Sequence, residues 1–298
     1  GKTKVIHLIT TLDHGGAEKQ LLEALRFFPK HYEYVVFWLK GPGTLQTEFQ
    51  RWNIDAFKLL QNLSMLFQLV KENRKQSLNK PESRTFLHAH LPRAELLGVL
   101  VARIFGISLI VTKHNAEQMW PNGNRNVSNI LSKIVYKTSK QVVCISVAVK
   151  RYLESIFELP MNSSKVLIIH YGLELSRHEK QMSRLKTCSK TPIIGTLSRY
   201  VPQKDIGTLI LAARELKDRE IDVSFVCHGE GYEENQLKEL VIQNRLEQSF
   251  AILGKTTEPD LFIEKCDIFV LTSKYEGFGL VILEAARSGY TLTCFKFR

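Results

Sequence analysis

A strand, a glycine turn and a helix follow one another over residues 267–289, and this stretch limits the folds open to the chain. The apolar run 268–271 predicts a buried strand. Glu276-Gly277-Phe278-Gly279 then predicts a tight turn, in which the glycines let backbone N–H groups approach a ligand. Residues 280–287 predict a helix that ends at Gly289. The free N–H groups and the positive dipole end of such a helix suit a phosphate or a polar sugar.

Two carboxylates frame this turn. Glu276 lies just before the predicted helix and Glu284 lies inside it, one to two turns along at a rise of about 1.5 Å per residue. One carboxylate can therefore face the reacting part of a ligand while the other meets a different part. The plainer alternative, a charge at a helix N-terminus and a solvated helix residue, stays open for the pair alone. The two glycines and the preceding strand favour the ligand interpretation.

Strands alternate with helices along the whole chain, which predicts α/β domains with parallel sheets. With 298 residues the chain is long enough for two such domains. We predict a first domain over residues 1–173, a polar, lysine-rich linker over 174–190 and a second domain over 191–298. Within the first domain, the pattern also predicts a polar loop over residues 73–84.

A second strand, glycine loop and helix open the chain. The predicted strand 4–9 leads into a loop with Gly15-Gly16, and a helix starts near Ala17. This is another possible phosphate cradle, although it is neither a G-x-G-x-x-G fingerprint nor a P-loop. A plain tight turn is the alternative.

Further candidates stand at the ends of predicted strands. Arg199 and Lys204 share the loop after strand 193–199, where they could clamp a diphosphate, the Arg by bidentate contact and the Lys as a point charge. His114 follows strand 109–111, a favourable place for a ligand contact, with an ordinary loop histidine as the alternative.

Metal binding is not expected. His88 and His90 share one face of a predicted strand, but no third ligand is evident from the sequence. The chain contains no Asp-x-Asp. Its five cysteines are scattered, which fits a reducing compartment and argues against a zinc site.

The net charge of +11 lies in the first half. Residues 1–180 contain 25 Lys and Arg against 14 Asp and Glu, whereas residues 181–298 contain 16 of each. A basic half suits an anionic membrane surface, an anionic substrate or nucleic acid, or it serves solubility alone. The longest apolar stretch, 96–111, is interrupted by Arg103 and Gly106, and no signal peptide is evident. We therefore expect a cytoplasmic protein, peripheral on the inner face of a membrane.

Taken in order, these motifs resemble those of retaining glycosyltransferases of family 4, which have the GT-B fold. That family's signature is close to Glu-Gly-Phe-Gly-Leu-x-x-x-Glu-Ala, which this chain matches from Glu276 to Ala285. The other matching positions are Gly15, Gly16, His114, Gly172, Arg199, Lys204 and Gly229. The chain departs from the pattern at His170-Tyr171, where the family has Pro-Asn, and at Asp205, where the family has Gly.

The resemblance implies two Rossmann-like domains with parallel sheets facing across a cleft, the first on the acceptor side and the second binding a nucleotide sugar. It implies that Glu276 and the glycine turn hold the transferred sugar, that His114 reaches this sugar and that Glu284 accepts the ribose hydroxyls. The residues expected in catalysis are Glu276, His114, Arg199 and Lys204. Those expected to bind the donor are Gly15, Gly16, Gly229, Glu230, Gly277, Phe278, Gly279, Leu280 and Glu284.

The function implied is that of a metal-independent retaining hexosyltransferase, with a glycan or lipid-linked acceptor from the cell envelope. A non-catalytic nucleotide-sugar-binding protein and a GT-B sugar-nucleotide epimerase are the alternatives. No nucleic acid partner is expected, because the chain shows no recognised nucleic-acid motif. The family continues with further strand and helices where this sequence stops at Arg298. We therefore expect an incomplete second domain with an unpaired sheet edge, weak donor binding and little activity.

Overall fold

The computed structural model describes residues 3–79, 85–116, 118–119, 123–157, 164–174, 191–287 and 291–294, with 72–79 and 291–294 described by backbone alone. The chain divides into two compact units, Gly1–Gly172 and Leu173–Arg298. The predicted linker lies outside the described residues, apart from its first residue.

The first unit contains a seven-stranded sheet in which every pairing is parallel. Its strands are β1 Lys4–Ile9, β2 Glu33–Trp38, β3 Asp55–Lys58, β4 Thr85–His90, β5 Ser108–Lys113, β6 Gln141–Cys144 and β7 Val166–Ile168. Their order is β3-β2-β1-β4-β5-β6-β7, so the chain builds outward from β1 on one side and then from β4 on the other. The strand order therefore reverses between β1 and β4.

Six α-helices and a short 3₁₀ helix, Leu59–Gln61, connect these strands in the described part of the first unit. The α-helices are α1 Gly16–Phe27, α2 Gln46–Arg51, α3 Leu63–Asn79, α4 Pro92–Phe105, α5 Arg125–Thr138 and α6 Val147–Phe157. The predicted polar loop over 73–84 is wrong at its start, because α3 continues to Asn79. Lys, Arg, Gln and Leu in this stretch are good helix formers, and residues 73–80 include no Gly or Pro.

Both faces of the first sheet are covered, as expected of a parallel sheet. Successive residues of β2 show this, because Val35 and Phe37 belong to one hydrophobic cluster while Val36 and Trp38 belong to another. The alternation of a strand sends neighbouring side chains to opposite faces. The carboxyl-terminal ends of the strands are thus left as the place where polar loops can meet.

The second unit contains a five-stranded parallel sheet. Its strands are β8 Ile193–Leu197, β9 Ser224–His228, β10 Phe250–Leu253, β11 Ile268–Leu271 and β12 Thr291–Cys294. Its helices are α7 Ile206–Asp218, α8 Glu234–Gln243, α9 Pro259–Lys265 and α10 Leu280–Arg287. The order β10-β9-β8-β11-β12 reverses between β8 and β11. The predicted α/β architecture with two parallel sheets is confirmed. No helix in the described part of the chain is long and apolar enough to cross a bilayer.

Candidate functional site

In the second unit, two loops adjoin where the strand order reverses. One follows β8 and carries Arg199 and Lys204, and the other follows β11 and carries Glu276. Open α/β sheets bind ligands in the crevice at such a reversal, outside the carboxyl ends of the strands. The second sheet thus brings Lys204 and Glu276, two of the predicted catalytic residues, to the point where a ligand is expected.

Lys204 and Glu276 form a salt bridge across this reversal. The Lys204 Nζ donates to Glu276 Oε1, and the two side chains are only 15% and 9% exposed. Ser273 Oγ donates to the same carboxylate oxygen at 2.6 Å. Glu276 is therefore held by two donors. Ser273 was not among the residues predicted from the sequence, although a hydroxyl three residues before the carboxylate was the available signal.

Three further hydrogen bonds tie these loops together. The Lys274 N–H donates to the Gln203 carbonyl at 2.8 Å, and the Gln203 amide donates to the Tyr275 carbonyl at 3.0 Å. Thr272 Oγ1 donates to the Lys204 carbonyl at 2.9 Å. Because the backbone on both sides of the salt bridge is bound, the carboxylate and the ammonium are positioned by the fold rather than by chance contact.

The departure from the family pattern at Asp205 has a backbone explanation. Asp205 precedes α7 with φ +49° and ψ +48°, the left-handed conformation that favours glycine. Aspartate tolerates this conformation better than most residues, and here its Oδ2 also accepts a hydrogen bond from Thr208 Oγ1 at 3.0 Å. The turn that follows Lys204 is thus kept without glycine.

Arg199 does not share a partner with Lys204 in this structure. Its side chain is exposed, and its Nη2 donates to Gln203 Oε1 at 3.4 Å, whereas Lys204 is directed at Glu276. The two cations lie on one loop, as predicted from the sequence, but their joint action on a diphosphate stays a prediction.

Gly229 is required by packing between two loops. A Cβ at Gly229 would lie 1.8 Å from the Ser198 carbonyl oxygen, and one at Gly231 would lie 2.2 Å from that of Tyr200. The loops after β8 and β9 are therefore in direct backbone contact. The donor contact expected at Gly229 stays a prediction. The neighbouring Glu230 is exposed and pairs with Lys255 at 3.4 Å.

The turn before α10 has the predicted form. Gly279 has φ +75°, which L side chains rarely adopt, and Gly277 is buried. Helix α10 begins at Leu280, and Phe278, Leu280 and Glu284 are partly exposed. The first N–H groups of α10 thus start directly after the glycine turn.

In the first unit, the loop after β1 is held from within. Gly15 precedes α1, of which Gly16 is the first residue, and a Cβ at Gly15 would lie 2.2 Å from Glu18 Oε2. Glu18 is buried and accepts a hydrogen bond from Thr11 Oγ1. The glycine thus makes room for a buried carboxylate, a role that the sequence did not reveal.

His114 has both ring nitrogens engaged. Its Nε2 lies 3.0 Å from His90 Nδ1, and its Nδ1 is hydrogen-bonded to the Tyr171 hydroxyl. His90 Nε2 lies in turn 3.1 Å from His7 Nδ1. His114 is only 8% exposed. The predicted contact between its ring and a sugar therefore stays a prediction, and it requires one of these hydrogen bonds to be given up.

Burial keeps the four histidines of this region neutral. It lowers the pKa of His88 to about 4 and that of His114 to about 3, and it lowers the pKa of both His7 and His90 well below the usual range.

His7, His88 and His90 offer ligand atoms within 4.8 Å of one another, so His7 is the third histidine that the sequence did not reveal. Three of the four rings are joined to one another, and His88 Nε2 pairs with Thr112 Oγ1 at 2.7 Å. A metal ion would displace some of these contacts, and metal independence stays a prediction.

Comparison with known proteins identifies two families along the chain. Residues 14–177 match the profile of Glycosyltransferase Family 4, and residues 178–295 match that of Glycosyl transferases group 1. The first match covers more than half of the chain.

Two relatives illustrate the range of similarity. A poly(ribitol-phosphate) alpha-N-acetylglucosaminyltransferase of Staphylococcus aureus is 33% identical over 106 residues, which are 36% of this chain and 22% of that protein. A UDP-Gal:alpha-D-GlcNAc-diphosphoundecaprenol alpha-1,3-galactosyltransferase of Escherichia coli is 24% identical over 97% of this chain and 78% of its own length.

Among solved structures, HepE of Anabaena in complex with UDP and glucose superposes with a TM-score of 0.77 at 19% identity, over 99% of this chain and 81% of that one. At this identity the likeness concerns the fold, which is GT-B. Since the first profile spans more than half of its length, the chain belongs to glycosyltransferase family 4.

Proposed function

We propose that the chain transfers a sugar from a nucleotide-sugar donor to a hydroxyl group of a lipid-linked or cell-envelope glycan, with retention at the anomeric carbon. The observation that carries the proposal is the meeting of Lys204 and Glu276 where the second sheet reverses its strand order. A nucleotide sugar joins an anionic diphosphate to a polyhydroxylated ring. A cation beside a carboxylate suits such a ligand, because the cation offsets phosphate charge and the carboxylate accepts sugar hydroxyls.

The main requirement of the reaction is stabilisation of the negative charge that develops on the leaving diphosphate. When the bond from the anomeric carbon to the diphosphate breaks, negative charge grows on the phosphate oxygens. Lys204 and Arg199, on one loop, and the N-terminus of α10 are proposed to stabilise it. Since the chain contains no Asp-x-Asp, we assign this role to side chains and backbone, and we expect the rate to be unchanged by EDTA.

We assign the two carboxylates to different parts of the donor. Glu276, fixed by Ser273 and Lys204, orients the transferred sugar, and Glu284, inside α10, accepts the ribose hydroxyls. In retaining hydrolases the two catalytic carboxylates lie about 5–5.5 Å apart, and both act on the same glycosidic bond. That scheme is not proposed here, because each carboxylate is assigned to a different portion of the ligand.

The relatives support a class of donor and acceptor. The Escherichia coli relative is named for a UDP-sugar and a diphosphoundecaprenol-linked acceptor, and the Staphylococcus aureus relative for poly(ribitol-phosphate). The HepE structure contains UDP and glucose. We therefore propose a uridine-diphosphate sugar as the donor and a polyprenyl-diphosphate-linked sugar as the acceptor.

A two-stage experiment tests this function. A panel of UDP-hexoses and UDP-N-acetylhexosamines is first screened for a rise in melting temperature, since a ligand that binds only the folded state stabilises it. The best ligand is then incubated with a synthetic polyprenyl-diphosphate-linked N-acetylglucosamine, and UDP release and the anomeric configuration of the product are measured. Glu276→Gln is the inactive control, and Glu239→Gln, on the exposed face of α8, is the matched surface control.

The outcomes separate the alternatives. Acceptor-dependent UDP release with a retained anomeric centre supports the proposal. Conversion of the donor into an isomeric nucleotide sugar without acceptor identifies an epimerase, and binding without turnover identifies a binding protein. If no nucleotide sugar raises the melting temperature, the proposed function is wrong.

A further inference from the structure

His228 ends strand β9 at the carboxyl-terminal edge of the second sheet, and β9 is the neighbour of β8, whose loop carries Lys204. The side chain of His228 is partly exposed. Its Nδ1 lies 2.8 Å from the carbonyl oxygen of Gly254, in the turn after β10. Its ring meets that of Phe262, on α9, edge to face, with centroids 4.7 Å apart. Two contacts within the second unit thus hold the imidazole.

The contact with Gly254 decides which ring nitrogen of His228 carries a proton. A carbonyl oxygen can only accept a hydrogen bond, so Nδ1 must be the donor. In a neutral imidazole the other nitrogen, Nε2, then offers a lone pair and no proton. Among the described residues, Nε2 has no hydrogen-bond partner. His228 is therefore a fixed ring with an unused acceptor at the end of a strand.

The side of the sheet on which His228 lies is the side covered by α9 and α10. Alternate residues of a strand share a face, so His228 lies on the same face as Val226. Val226 packs against the hydrophobic cluster that contains Phe262 of α9 and Ala285 of α10. His228 thus lies at the edge where α10, the helix that follows the glycine turn, covers the sheet.

The strand order sets out the parts of a nucleotide sugar along this edge. Glu276 follows β11 and Lys204 follows β8, and β9 and β10 come next in the sheet. In the proposed function, Glu276 orients the sugar and Lys204 holds the diphosphate. The nucleoside lies on the other side of the diphosphate from the sugar, and adjacent strands are about 4.8 Å apart. A donor that continues in the same direction brings its base to the ends of β9 and β10.

We propose that His228 Nε2 accepts a hydrogen bond from the base of the nucleotide sugar, and that this contact favours a base with an N–H group at that position. Uracil has such a group at N3, whereas N3 of cytosine carries only a lone pair. The Gly254 carbonyl fixes the proton of the ring on Nδ1 and so keeps Nε2 an acceptor. The inference rests on the proposed function and deepens it, because it names the residue that selects the base.

A methylated nucleotide tests this contact. UDP and 3-methyl-UDP differ in that the second has no N3–H. Calorimetry on the full chain compares both for the wild type and for His228→Asn, whose amide keeps a donor near the place of Nδ1 and has nothing at the place of Nε2. We expect His228→Asn to bind UDP about 3–10-fold more weakly, as for the loss of one hydrogen bond. Since the methyl group also adds bulk, the decisive quantity is the ratio of the two affinities, which should fall by a similar factor in the variant.

Two comparisons complete the binding experiment. The wild type should bind UDP more tightly than CDP, and His228→Asn should narrow this difference. His31→Asn is the matched control, because His31 is exposed and lies just before β2, at the opposite edge of its sheet from the carboxyl ends where ligands bind. It should leave all three affinities unchanged.

The tautomer of His228 supplies a readout that a purely structural role would not affect. Long-range proton–nitrogen NMR with labelled histidine shows which ring nitrogen is protonated, and the spectrum of His228→Asn assigns the signal. We expect the Nδ1–H form, with an Nε2 resonance that shifts on addition of UDP and shifts less with 3-methyl-UDP. An Nε2–H form, or an Nε2 signal that UDP leaves unchanged, would overturn the inference.

The results separate this inference from the proposed function. If the wild type binds UDP and His228→Asn binds it equally well, the inference is wrong and the proposed function stands. The same holds if the variant discriminates against 3-methyl-UDP as strongly as the wild type does. If no nucleotide or nucleotide sugar binds the wild type, the proposed function fails as well.

Discussion

Lys204 and Glu276 are joined by a salt bridge although 72 residues separate them along the chain. They meet because β8 and β11 are neighbours in the second sheet, so the loops that follow these strands lie side by side. The bond has a consequence for ligand binding. A diphosphate that binds Lys204 must compete with the Glu276 carboxylate, which already forms a salt bridge with the Lys204 ammonium.

Glu276→Gln should therefore separate diphosphate binding from catalysis. Loss of the carboxylate charge releases Lys204, so UDP should bind about 3–10-fold more tightly, while transfer falls by about two orders of magnitude or more. Calorimetry with UDP and a transfer assay measure the two effects. Unchanged or weaker UDP binding would show that Lys204 does not contact the diphosphate. Glu239→Gln, an exposed change on α8, should leave both quantities unchanged.

Arg199→Ala should weaken UDP binding without loss of stability. Arg199 is exposed and makes one long hydrogen bond, to Gln203, so little folding free energy depends on it. A charged hydrogen bond to phosphate is worth roughly 1.5–3 kcal/mol, and we expect a loss of that size. Arg219→Ala, which removes an exposed cation that pairs with Glu215 at 2.7 Å, is the control for charge alone. Equal UDP affinities for Arg199→Ala and wild type would remove Arg199 from the site.

Local patterns predicted some parts of the structure well. The bounds of α10 agree with the prediction, because an apolar helix pattern, the glycine turn before it and a buried strand all lie within one short stretch. The parallel sheets and the family were also predicted and are confirmed. In contrast, α3 continues to Asn79, into the predicted polar loop over 73–84, because the sequence of its last turns is mostly polar and has no apolar periodicity to mark a helix.

Contacts between distant residues could not be predicted in the same way. His7 and His90 are 83 residues apart, and they meet only because β1 pairs with β4 in a register that sets His7 opposite His88. The sequence gives neither the strand order nor the register. For the same reason Lys204 and Glu276 were assigned separate roles, and Tyr171 was seen only as a departure from a turn pattern.

The buried pair of Glu95 and Lys113 should be essential to stability. Glu95 is 1% exposed and accepts a hydrogen bond from Lys113 Nζ, next to His114. Burial raises the pKa of Glu95, against the opposing effect of Lys113. Glu95→Ala leaves the Lys113 charge buried without its partner and should cost about 3–5 kcal/mol in urea unfolding. Glu95→Leu combined with Lys113→Met should recover most of this loss, and failure to recover would mean that the pair also fixes the local backbone.

Acid should destabilise the first unit through its histidines. The folded-state pKa is lowered for His7, His88, His90 and His114, to about 4 for His88 and about 3 for His114. The unfolded chain therefore binds more protons than the folded chain below about pH 6.5, and stability falls as pH decreases from there toward pH 4. Burial is the largest cause of the lowered pKa of His114, and the charges of His88 and then Lys113 add to it.

At pH 5 each of these histidines should account for up to about 2 kcal/mol of lost stability. Hydrogen exchange of the β1 and β4 amides between pH 7.5 and pH 5 reports on the first unit by itself. His88→Asn should flatten the pH dependence, whereas His31→Asn, at an exposed position, should leave it unchanged. An equally steep loss in His88→Asn would assign the acid sensitivity to other groups.

The basic first half should bind anionic membranes. All of the net charge of +11 lies in residues 1–180, and polybasic surfaces gain about 1 kcal/mol per Lys or Arg near such a membrane. Helix α4 supplies an apolar element, because Leu100 and Ile104 are 56% and 60% exposed and share a face with the exposed Arg103.

We expect cosedimentation with phosphatidylglycerol vesicles that weakens as salt rises. Leu100→Ser combined with Ile104→Ser should reduce it at fixed salt, while Leu211→Ser, an equally exposed position on α7, should not. If the wild type ignores these vesicles at low salt, the positive charge serves a soluble anionic acceptor instead, and the proposed lipid-linked substrate loses its support from charge.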